Sequence, residues 1–572
     1  MRKLRRLGLV LVLAAATLPF VPAHPAAAAP GALGLVCTDG PAFHLTANTG
    51  YIETPDGNSV FMWSYADTGT GAHFQSPGPV LCVNQGETVT VTLHNTLPEP
   101  ASLVFPGQEG VTATGAAGLL ATEAPAGGDA TYTFTAGQPG TYVYESGSDP
   151  SRQVAMGLYG ALIVRPAGHV DYAYDAGTRF SPAQEYLILL SEIDPDLHHA
   201  VETGATYDFT QLHNRYFAVN GREFPDTIQD NGVSWLPNQP YGSLVRVKPY
   251  DPVRNPLPAL IRMANVGELN HPYHPHGNHL RMIAQDGRPL RSPAGADASS
   301  EHFAETIGSG QTEDFLFSWT DQDSWDTVAN PFPSGANPPS YRNLTFKDEN
   351  TWFSGSPYLG AKGTLPTTVT SQNLCGEWYF PWHSHALNEF SNFDAGFGGM
   401  ATLLRVDPAS GCTGYPASTK ILAGTPRSGA YTALGAADTL SYQVNSTTAG
   451  TPAADWYGGF AGIPTGSTNI NVTYTGRTCA TTASGSTCPA VAAVPTTLSA
   501  WNWTTGAWVP LGAAAGVGAT DTTISRPVPV APTSVIGTGA NLGQLRVRVQ
   551  AAGGPANFVT QANLLLITYD AP

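Results

Sequence analysis

Alternation of polar and apolar residues is the dominant pattern along the chain, and it predicts strands rather than helices. Residues 88–93 read Thr-Val-Thr-Val-Thr-Leu and residues 132–135 read Tyr-Thr-Phe-Thr, the period of a half-buried strand. Short apolar runs, such as residues 160–164 and 186–190, are typical of buried strands between turns. We find no strong amphipathic helical period, so the pattern predicts an all-β protein.

Changes in this pattern divide the chain into three predicted β-sandwich domains. The first covers residues 30–168 and the second residues 185–408, which include a long Pro-, Gly-, Ser- and Asn-rich segment at 327–370. Composition then shifts to Ala, Gly, Thr and Ser, and we assign residues 413–572 to a C-terminal β-sandwich. The 62 glycines and 48 prolines fit a chain with many turns.

The N-terminal segment has the pattern of a signal peptide. Four basic residues lie among the first six, an apolar run covers residues 7–21, and small residues follow. The run is short for a membrane span, and no later segment is apolar enough to form one. We therefore predict cleavage after residue 29 and a secreted or extracytoplasmic mature protein.

The net charge limits the expected binding partners, and the cysteine content indicates the redox compartment. The formal net charge of −17 repels phosphate backbones, so we expect no nucleic acid partner. Six cysteines, an even number, fit three disulfides in an oxidising compartment, whereas a thiolate metal site lacks any Cys-x-x-Cys spacing. The expected pairs, all within domains, are Cys37–Cys82, Cys375–Cys412 and Cys479–Cys488.

Two histidine-rich segments carry the candidate chemistry. Residues 271–279 read His-Pro-Tyr-His-Pro-His-Gly-Asn-His, and residues 383–385 read His-Ser-His. On a strand, residues two apart share a face, so each segment presents a pair of imidazoles. Two such pairs on neighbouring strands form a four-nitrogen site suited to copper or zinc. For His271 and His279 a purely structural role is a stronger alternative than it is for the four paired histidines.

The motifs resemble those of the multicopper oxidase family. His-Pro-Tyr-His-Pro-His-Gly at 271–277 is similar to the first copper motif of the family's last domain. Trp-His-Ser-His at 382–385, followed by Gly399 and Met400, resembles the second, and residues 153–164 resemble the end of its first cupredoxin domain. The resemblance implies cupredoxin-like Greek-key β-sandwiches and a copper cofactor.

The departures from the family pattern imply a reduced copper site. Ser384 stands where the family has the cysteine of the blue type 1 copper, and Asn388 and Glu389 stand near the place of a later type 1 histidine. Histidine motifs of the family's first domain are absent here, and Glu145 occupies one of those positions.

The remaining candidate site is therefore small. The expected ligands are His274, His276, His383 and His385, for one or two copper ions with zinc as an alternative, and His271 is a leftover type 1 ligand. Glu145 is the candidate proton-transfer group, although a solvated or hydrogen-bonded glutamate is the simpler interpretation.

Two function classes follow. The first is a secreted, multicopper-oxidase-like, copper-dependent oxidoreductase acting on a small molecule or a metal ion. The alternative is a non-catalytic metal-binding or cell-surface structural protein on a cupredoxin scaffold. Trp501, Trp503 and Trp508 in the C-terminal domain suggest a cell-wall glycan partner, although a core tryptophan cluster is the commoner explanation.

Overall fold

The structure is a computed structural model, and it describes most of the chain. The described ranges are residues 33–68, 73–250, 255–276, 279–319, 344–348, 351–354, 370–372, 378–393, 395–396, 398–407, 411–435, 440–483 and 487–570. The predicted signal peptide lies outside them.

The first sandwich consists of two mixed sheets. One has the strand order β1-β4-β12-β11 and the other β3-β2-β5-β10-β7, with parallel pairing of β1 and β12 to β4 and of β2 to β5. A helix, α1 (Pro150–Gln153), precedes the last strand. The strands are β1 (Thr38–Asp39), β2 (Ala42–Glu53), β3 (Ser59–Asp67), β4 (Leu81–Asn84), β5 (Thr88–Asn95), β6 (Ala101–Ser102), β7 (Thr112–Thr114), β8 (Ala116–Ala117), β9 (Thr122–Ala124), β10 (Asp129–Thr135), β11 (Gly140–Glu145) and β12 (Tyr159–Arg165).

The second sandwich is also mixed. Its sheets have the orders β14-β13-β16-β22-β18-β19 and β15-β29-β26-β17-β21, with β13 parallel to β16 and β15 parallel to β29. The strands are β13 (Glu185–Ile193), β14 (Tyr216–Val219), β15 (Val245–Val247), β16 (Ala259–Asn265), β17 (His271–Pro275), β18 (Leu280–Gln285), β19 (Arg288–Pro289), β20 (Ser300–His302), β21 (Glu305–Ile307), β22 (Thr312–Phe317), β23 (Leu344–Asp348), β24 (Thr351–Ser354), β25 (Thr370–Gln372), β26 (Trp378–Ser384), β27 (Ser391–Asn392), β28 (Ala395–Gly396) and β29 (Ala401–Val406).

Helix α2 (Pro195–Thr203) follows β13 and has clear end signals. The Asp194 side chain accepts a hydrogen bond from the Asp196 backbone N–H at 2.9 Å, which caps the N-terminus, and Pro195 occupies the first helical position. Gly204 ends the helix in the left-handed conformation, with φ of 71°.

The C-terminal sandwich differs from the first two because its strand pairings are antiparallel throughout the described residues. Its sheets have the orders β32-β33-β41-β35-β39 and β31-β34-β40-β36-β37. A short helix, α3 (Pro532–Val535), precedes β40. The strands are β30 (Cys412–Gly414), β31 (Ser418–Ala423), β32 (Thr425–Ser428), β33 (Tyr442–Asn445), β34 (Ala453–Phe460), β35 (Thr468–Ala480), β36 (Val494–Asn502), β37 (Ala507–Pro510), β38 (Ala515–Val517), β39 (Thr522–Pro527), β40 (Leu545–Ala552) and β41 (Phe558–Asp570). The all-β prediction is therefore confirmed.

Two of the expected disulfides are present. Cys37–Cys82 joins the segment before β1 to β4, and Cys479–Cys488 closes a short loop after β35. Cys412 is disulfide-bonded as well, whereas Cys375 lies outside the described residues. Within the described residues no helix is long and apolar enough to cross a membrane.

The first two sandwiches share a buried interface. Apolar side chains of β4, β11 and β12 form one core cluster with Leu187 and Leu189 of β13 and with Ala264 and Val266 in and after β16. Burying these faces removes apolar surface of both sandwiches from water, which stabilises their contact.

A buried ion network crosses the same interface. Arg262 of β16 is fully buried; its Nε lies 2.8 Å from Glu185 Oε1 and its Nη1 3.7 Å from Asp314 Oδ1. Nη1 also donates to Thr141 Oγ1 of the first sandwich at 3.1 Å, and that hydroxyl donates to Asp314 at 2.5 Å. Each carboxylate is thus neutralised where water cannot reach it.

We expect Arg262→Met to lower the free energy of unfolding by about 3 kcal/mol or more, because it leaves the buried Asp314 without its cation and leaves Glu185 with Arg165 alone. Urea unfolding measures the change. Arg179→Met is the matched control, since Arg179 pairs with Asp171 while half exposed and its loss costs about 1 kcal/mol or less. Equal effects of the two substitutions would contradict a structural role for the buried network.

Candidate histidine metal centre

The pairing of β17 with β26 brings the two histidine segments together. The strands are antiparallel, with His274 directly opposite His383. Backbone hydrogen bonds continue the ladder at both ends, from His276 N to Pro381 O and from His385 N to Pro272 O. Because side chains alternate along a strand, His274, His276, His383 and His385 all lie on the same outward face.

The imidazole rings on this face are close neighbours. Ring centroids of His274 lie 4.7 Å from His276, 5.7 Å from His383 and 5.3 Å from His385. His276 and His383 are 5.2 Å apart by the same measure. The structure thus places all four sequence-predicted ligands in one cluster, which we call the histidine cluster.

Backbone carbonyls orient two of the rings. His274 Nδ1 lies 2.6 Å from the Phe303 carbonyl, and His383 Nδ1 lies 2.7 Å from the Ser384 carbonyl. Since a carbonyl only accepts, each Nδ1 carries the proton and donates it. The Nε2 lone pair of both rings is therefore available to a metal ion, the usual arrangement for metal-binding histidines.

One nitrogen pair already has the spacing of two ligands on one ion. His276 Nε2 and His383 Nε2 are 3.1 Å apart. Two nitrogens that each lie about 2.0 Å from one ion are about 3 Å apart when the angle at the ion is near 100°. Without a metal, His276 Nε2–H donates to the His383 lone pair.

Electrostatics keeps this pair neutral. Burial and then the neighbouring imidazoles of His274, His383 and His385 lower the pKa of His276 to about 4. Burial also lowers the pKa of His383, against the opposing effect of its carbonyl hydrogen bond. Both rings are therefore neutral imidazoles at neutral pH and carry no positive charge that would repel a cation.

A third ligand requires side-chain rotation. In the described part of the chain, no group of three or more His, Cys, Asp or Glu side chains is arranged to hold a metal ion as it stands. His385 is exposed and His274 half-buried, so both rings have room to turn. The donors fit a histidine-bound copper or zinc ion in chemistry and in the spacing of one pair, with two further imidazoles within reach.

Solvent reaches one side of the cluster. Phe303, which is 63% exposed, lies with its ring centroid 6.1 Å from that of His274, and Phe390 covers His383 at 4.9 Å. His279, exposed, contacts Phe303 from the other side at 6.0 Å. The cluster is therefore an open surface site.

His271 has a different environment from the four cluster histidines. It is fully buried, its Nδ1 lies 2.9 Å from Glu389 Oε2, and its Nε2 lies 3.1 Å from Glu192 Oε2. Both ring nitrogens are thus occupied by carboxylates. The ring offers no lone pair, and the expectation that His271 is a metal ligand finds no support in this geometry.

The two carboxylates hold a proton on this ring. Burial alone lowers the pKa of His271, but the hydrogen bonds and charges of Glu192 and Glu389 outweigh it and raise the pKa to about 9. The Glu192 carboxylate is itself anchored by the backbone N–H groups of Glu268 and Leu269, at 2.6 and 2.7 Å. His271 is therefore a buried imidazolium in a structural network.

The network includes Ser384, which by resemblance stands at the family's type 1 cysteine position, and Glu389, which by resemblance stands near a later type 1 histidine. Ser384 Oγ donates to Glu389 Oε2 at 2.5 Å, and Glu389 in turn accepts from His271. Met400, which follows Glu389 in the sequence, is buried in the apolar core of the second sandwich. The motif resemblance pointed to Glu389, whereas Glu192 lies just beyond the predicted strand at 186–190 and no signal in the sequence pointed to it.

Glu145 lies in a different environment from the four cluster histidines. It lines a cavity of about 480 Å³ between the first two sandwiches, together with Glu192, Asp194 and Glu268, and none of the four cluster histidines lines that cavity. Burial raises the pKa of Glu145. The expectation that Glu145 serves the metal site as a proton-transfer group is therefore not supported by its position.

Comparison with known proteins finds a family model, curated relatives and solved structures that are similar to parts of this chain. The multicopper oxidase family model matches residues 59–169. The chain is 28% identical over 211 residues to a probable nitrite reductase-hydroxylamine oxidoreductase fusion protein of Kuenenia stuttgartiensis, covering 35% of this chain and 20% of that protein. It is 31% identical over 167 residues to copper resistance protein A of Escherichia coli, which covers 27% of this chain and 25% of that protein. A solved blue copper oxidase from Nitrosomonas europaea aligns with a TM-score of 0.43 and 18% identity, covering 64% of this chain and 85% of that one.

Mixed two-sheet sandwiches of this kind are typical of the cupredoxin class. Within that class, the resemblance to multicopper oxidases is confirmed, because residues 59–169 match the model of that family. The matched regions span only a fifth to a quarter of the two curated relatives' length. Copper is the cofactor that this family implies.

The His271 network predicts a pH dependence of stability. The pKa of His271 is about 9 in the folded protein and about 6.5 in the unfolded chain, so its protonation stabilises the fold. This stabilisation is fully present below pH 6.5 and is lost as the pH rises through about 9. The total loss is up to about 3 kcal/mol. We expect His271→Gln to remove this alkaline slope in urea unfolding measured between pH 6 and pH 10.

The control is His198→Gln. His198 is equally buried, but burial lowers its pKa, so it carries no charge to lose on the alkaline side. An unchanged alkaline slope in His271→Gln, or the same change in both variants, would show that His271 is not protonated in the native state.

Proposed function

We propose that the protein is an extracytoplasmic copper-dependent oxidoreductase with a single histidine-bound copper site, acting on a small molecule or a metal ion. The observation that carries the proposal is the cluster of four imidazoles on one face, with His276 Nε2 and His383 Nε2 3.1 Å apart. Family membership of the first domain supports copper as the metal. The predicted signal peptide supports export.

Each cluster residue has a proposed task. His276 and His383 hold the ion, and His274 and His385 supply further nitrogens after rotation. The Phe303 and Ser384 carbonyls keep the Nε2 atoms of His274 and His383 unprotonated. When bound, copper supplies one-electron redox chemistry. The exposed Phe303 ring offers a contact surface for an aromatic substrate beside the cluster.

The proposed site excludes a blue copper. A blue site needs a thiolate ligand, and Ser384 donates its hydroxyl proton to Glu389 instead. His271, the type 1 histidine by resemblance, is a protonated imidazole between the carboxylates of Glu192 and Glu389. Electrons therefore have no sulfur route to the cluster, and a substrate must meet the metal directly at the surface.

We expect copper-loaded protein to give a mononuclear type 2 electron paramagnetic resonance spectrum with nitrogen coupling and no intense sulfur-to-copper absorption band. The His276→Ala, His383→Ala double variant should lose more affinity than the roughly 10- to 100-fold that follows loss of a supporting residue. Copper titration measures the affinity, and the electron paramagnetic resonance and absorption spectra of the loaded protein test the first expectation. His199→Ala, an exposed histidine on α2, is the control and should bind normally.

An intense thiolate band in the native protein would contradict the assignment of Ser384. Unchanged copper affinity in the double variant would place the metal elsewhere.

A second function, metal binding without turnover, is favoured by one observation: the described residues contain no preformed three-ligand site. Oxygen consumption with a phenol or with Cu(I) ions separates the two functions. We expect the copper-loaded protein to turn over one of these substrates, the zinc-loaded protein to be inactive, and the double variant to lose activity at least about 100-fold, as loss of a ligand implies. Tight copper binding without turnover would establish the metal-binding protein instead.

A further inference from the structure

The tryptophans of the C-terminal domain lie on the outside of its sandwich. The domain core is built from other residues, among them Trp456, and Trp501, Trp503 and Trp508 are half-buried outside it. Trp501 of β36 and Trp508 of β37 are cross-strand partners, with ring centroids 5.1 Å apart. The alternative interpretation, that these three tryptophans form a cluster in the domain core, is therefore wrong.

Basic side chains alternate with the rings on this surface. Strand β40 turns Arg546 and Arg548 outward, because Leu545, Val547 and Val549 point into the core. Arg546 Cζ lies 4.5 Å from the Trp503 ring centroid and 5.5 Å from that of Tyr457 on β34. We call the surface of Tyr457, Trp501, Trp503, Trp508, Arg546 and Arg548 the aromatic face.

The two arginines differ in their partners. Arg548 forms a two-point ion pair with Asp455, with Nε 2.8 Å from Oδ1, so its charge is neutralised. Arg546 stacks on two rings, and among the described residues no carboxylate pairs with it. Its guanidinium is thus held in place with its donor edge unpaired, which prepares it to bind an incoming carboxylate.

Ring polar atoms are also available. Trp503 Nε1 donates to the carbonyls of Val535 and Gln544, at 3.0 and 3.2 Å, which fixes that ring. Within the described residues, the Trp501 and Trp508 Nε1 atoms and the Tyr457 hydroxyl make no hydrogen bond. The face therefore presents flat apolar rings next to unused donors, the combination that a sugar ring satisfies with its C–H face and its hydroxyls.

The charge of the aromatic face opposes that of the whole protein. The chain carries a formal net charge of −17, but Lys420, which lies opposite Tyr457 on β31, adds a third basic side chain here against one acid, Asp455. The rings and arginines extend over β34, β40, β36 and β37, a width of about 14 Å at the normal strand spacing. That width accommodates a polymer rather than a single sugar.

We propose that the aromatic face binds an acidic polysaccharide, with its uronate carboxylate on Arg546 and its sugar rings on the tryptophans. The rings supply stacking, Arg546 supplies recognition of the carboxylate, and the local positive charge attracts the chain to an otherwise acidic protein. This site is separate from the histidine cluster and does not depend on the metal.

The test uses the full-length mature protein and two forms of one polymer, polygalacturonate and its methyl ester, in isothermal titration calorimetry. We expect polygalacturonate to bind at least about tenfold more tightly than the ester, because esterification removes the charged hydrogen bond to Arg546. Arg546→Gln and Trp508→Ala should each weaken polygalacturonate binding about tenfold or more.

Matched controls are Arg526→Gln, a basic residue on the opposite sheet of the same domain, and Trp235→Ala, an exposed tryptophan of the second domain. Both should bind like the native protein, and thermal unfolding checks that all variants are folded. Absence of polygalacturonate binding, equal binding of the ester, or a native affinity in Arg546→Gln would overturn the proposal. Equally tight binding of polyglutamate would reduce the site to a general anion surface and overturn its glycan specificity.

Discussion

The pairing of β17 with β26 is the constraint on which the candidate site depends. Its register places His274 opposite His383, and a slip of one residue on either strand would turn those imidazoles into the core. The buried side of the same ladder is fixed by His271, which is held by Glu192 of β13 and by Glu389 just after β26. The buried face of this strand pair thus stabilises the register, and the outward face carries the candidate metal ligands.

Charge balance stabilises the buried side of this ladder. A protonated His271 imidazole lies between the carboxylates of Glu192 and Glu389 and supplies the positive charge. Glu389 also accepts a hydrogen bond from Ser384, which by resemblance stands at the family's type 1 cysteine position. Since an unpaired buried carboxylate is costly, the serine, the glutamate and the imidazolium stabilise one another and must change together.

Histidines a few residues apart consequently have opposite protonation. Burial among carboxylates raises the pKa of His271 to about 9, whereas burial among other imidazoles lowers that of His276 to about 4. The alternation of a single strand separates the two environments. The neutral pair of His276 and His383 suits a cation, and the charged His271 on the buried face keeps the strand in place.

The sequence by itself determined the strands, two of the disulfides, the resemblance to multicopper oxidases and the shared face of His274, His276, His383 and His385, because all of these follow from local periodicity or from contiguous motifs. Only the tertiary structure decided the rest. It paired His271 with Glu192, 79 residues away, put Glu145 in a cavity that none of the four cluster histidines lines, and turned Trp501 and Trp508 to the outside of their sheet. Those outcomes depend on which distant strands become neighbours, and a residue's own sequence neighbours do not carry that information.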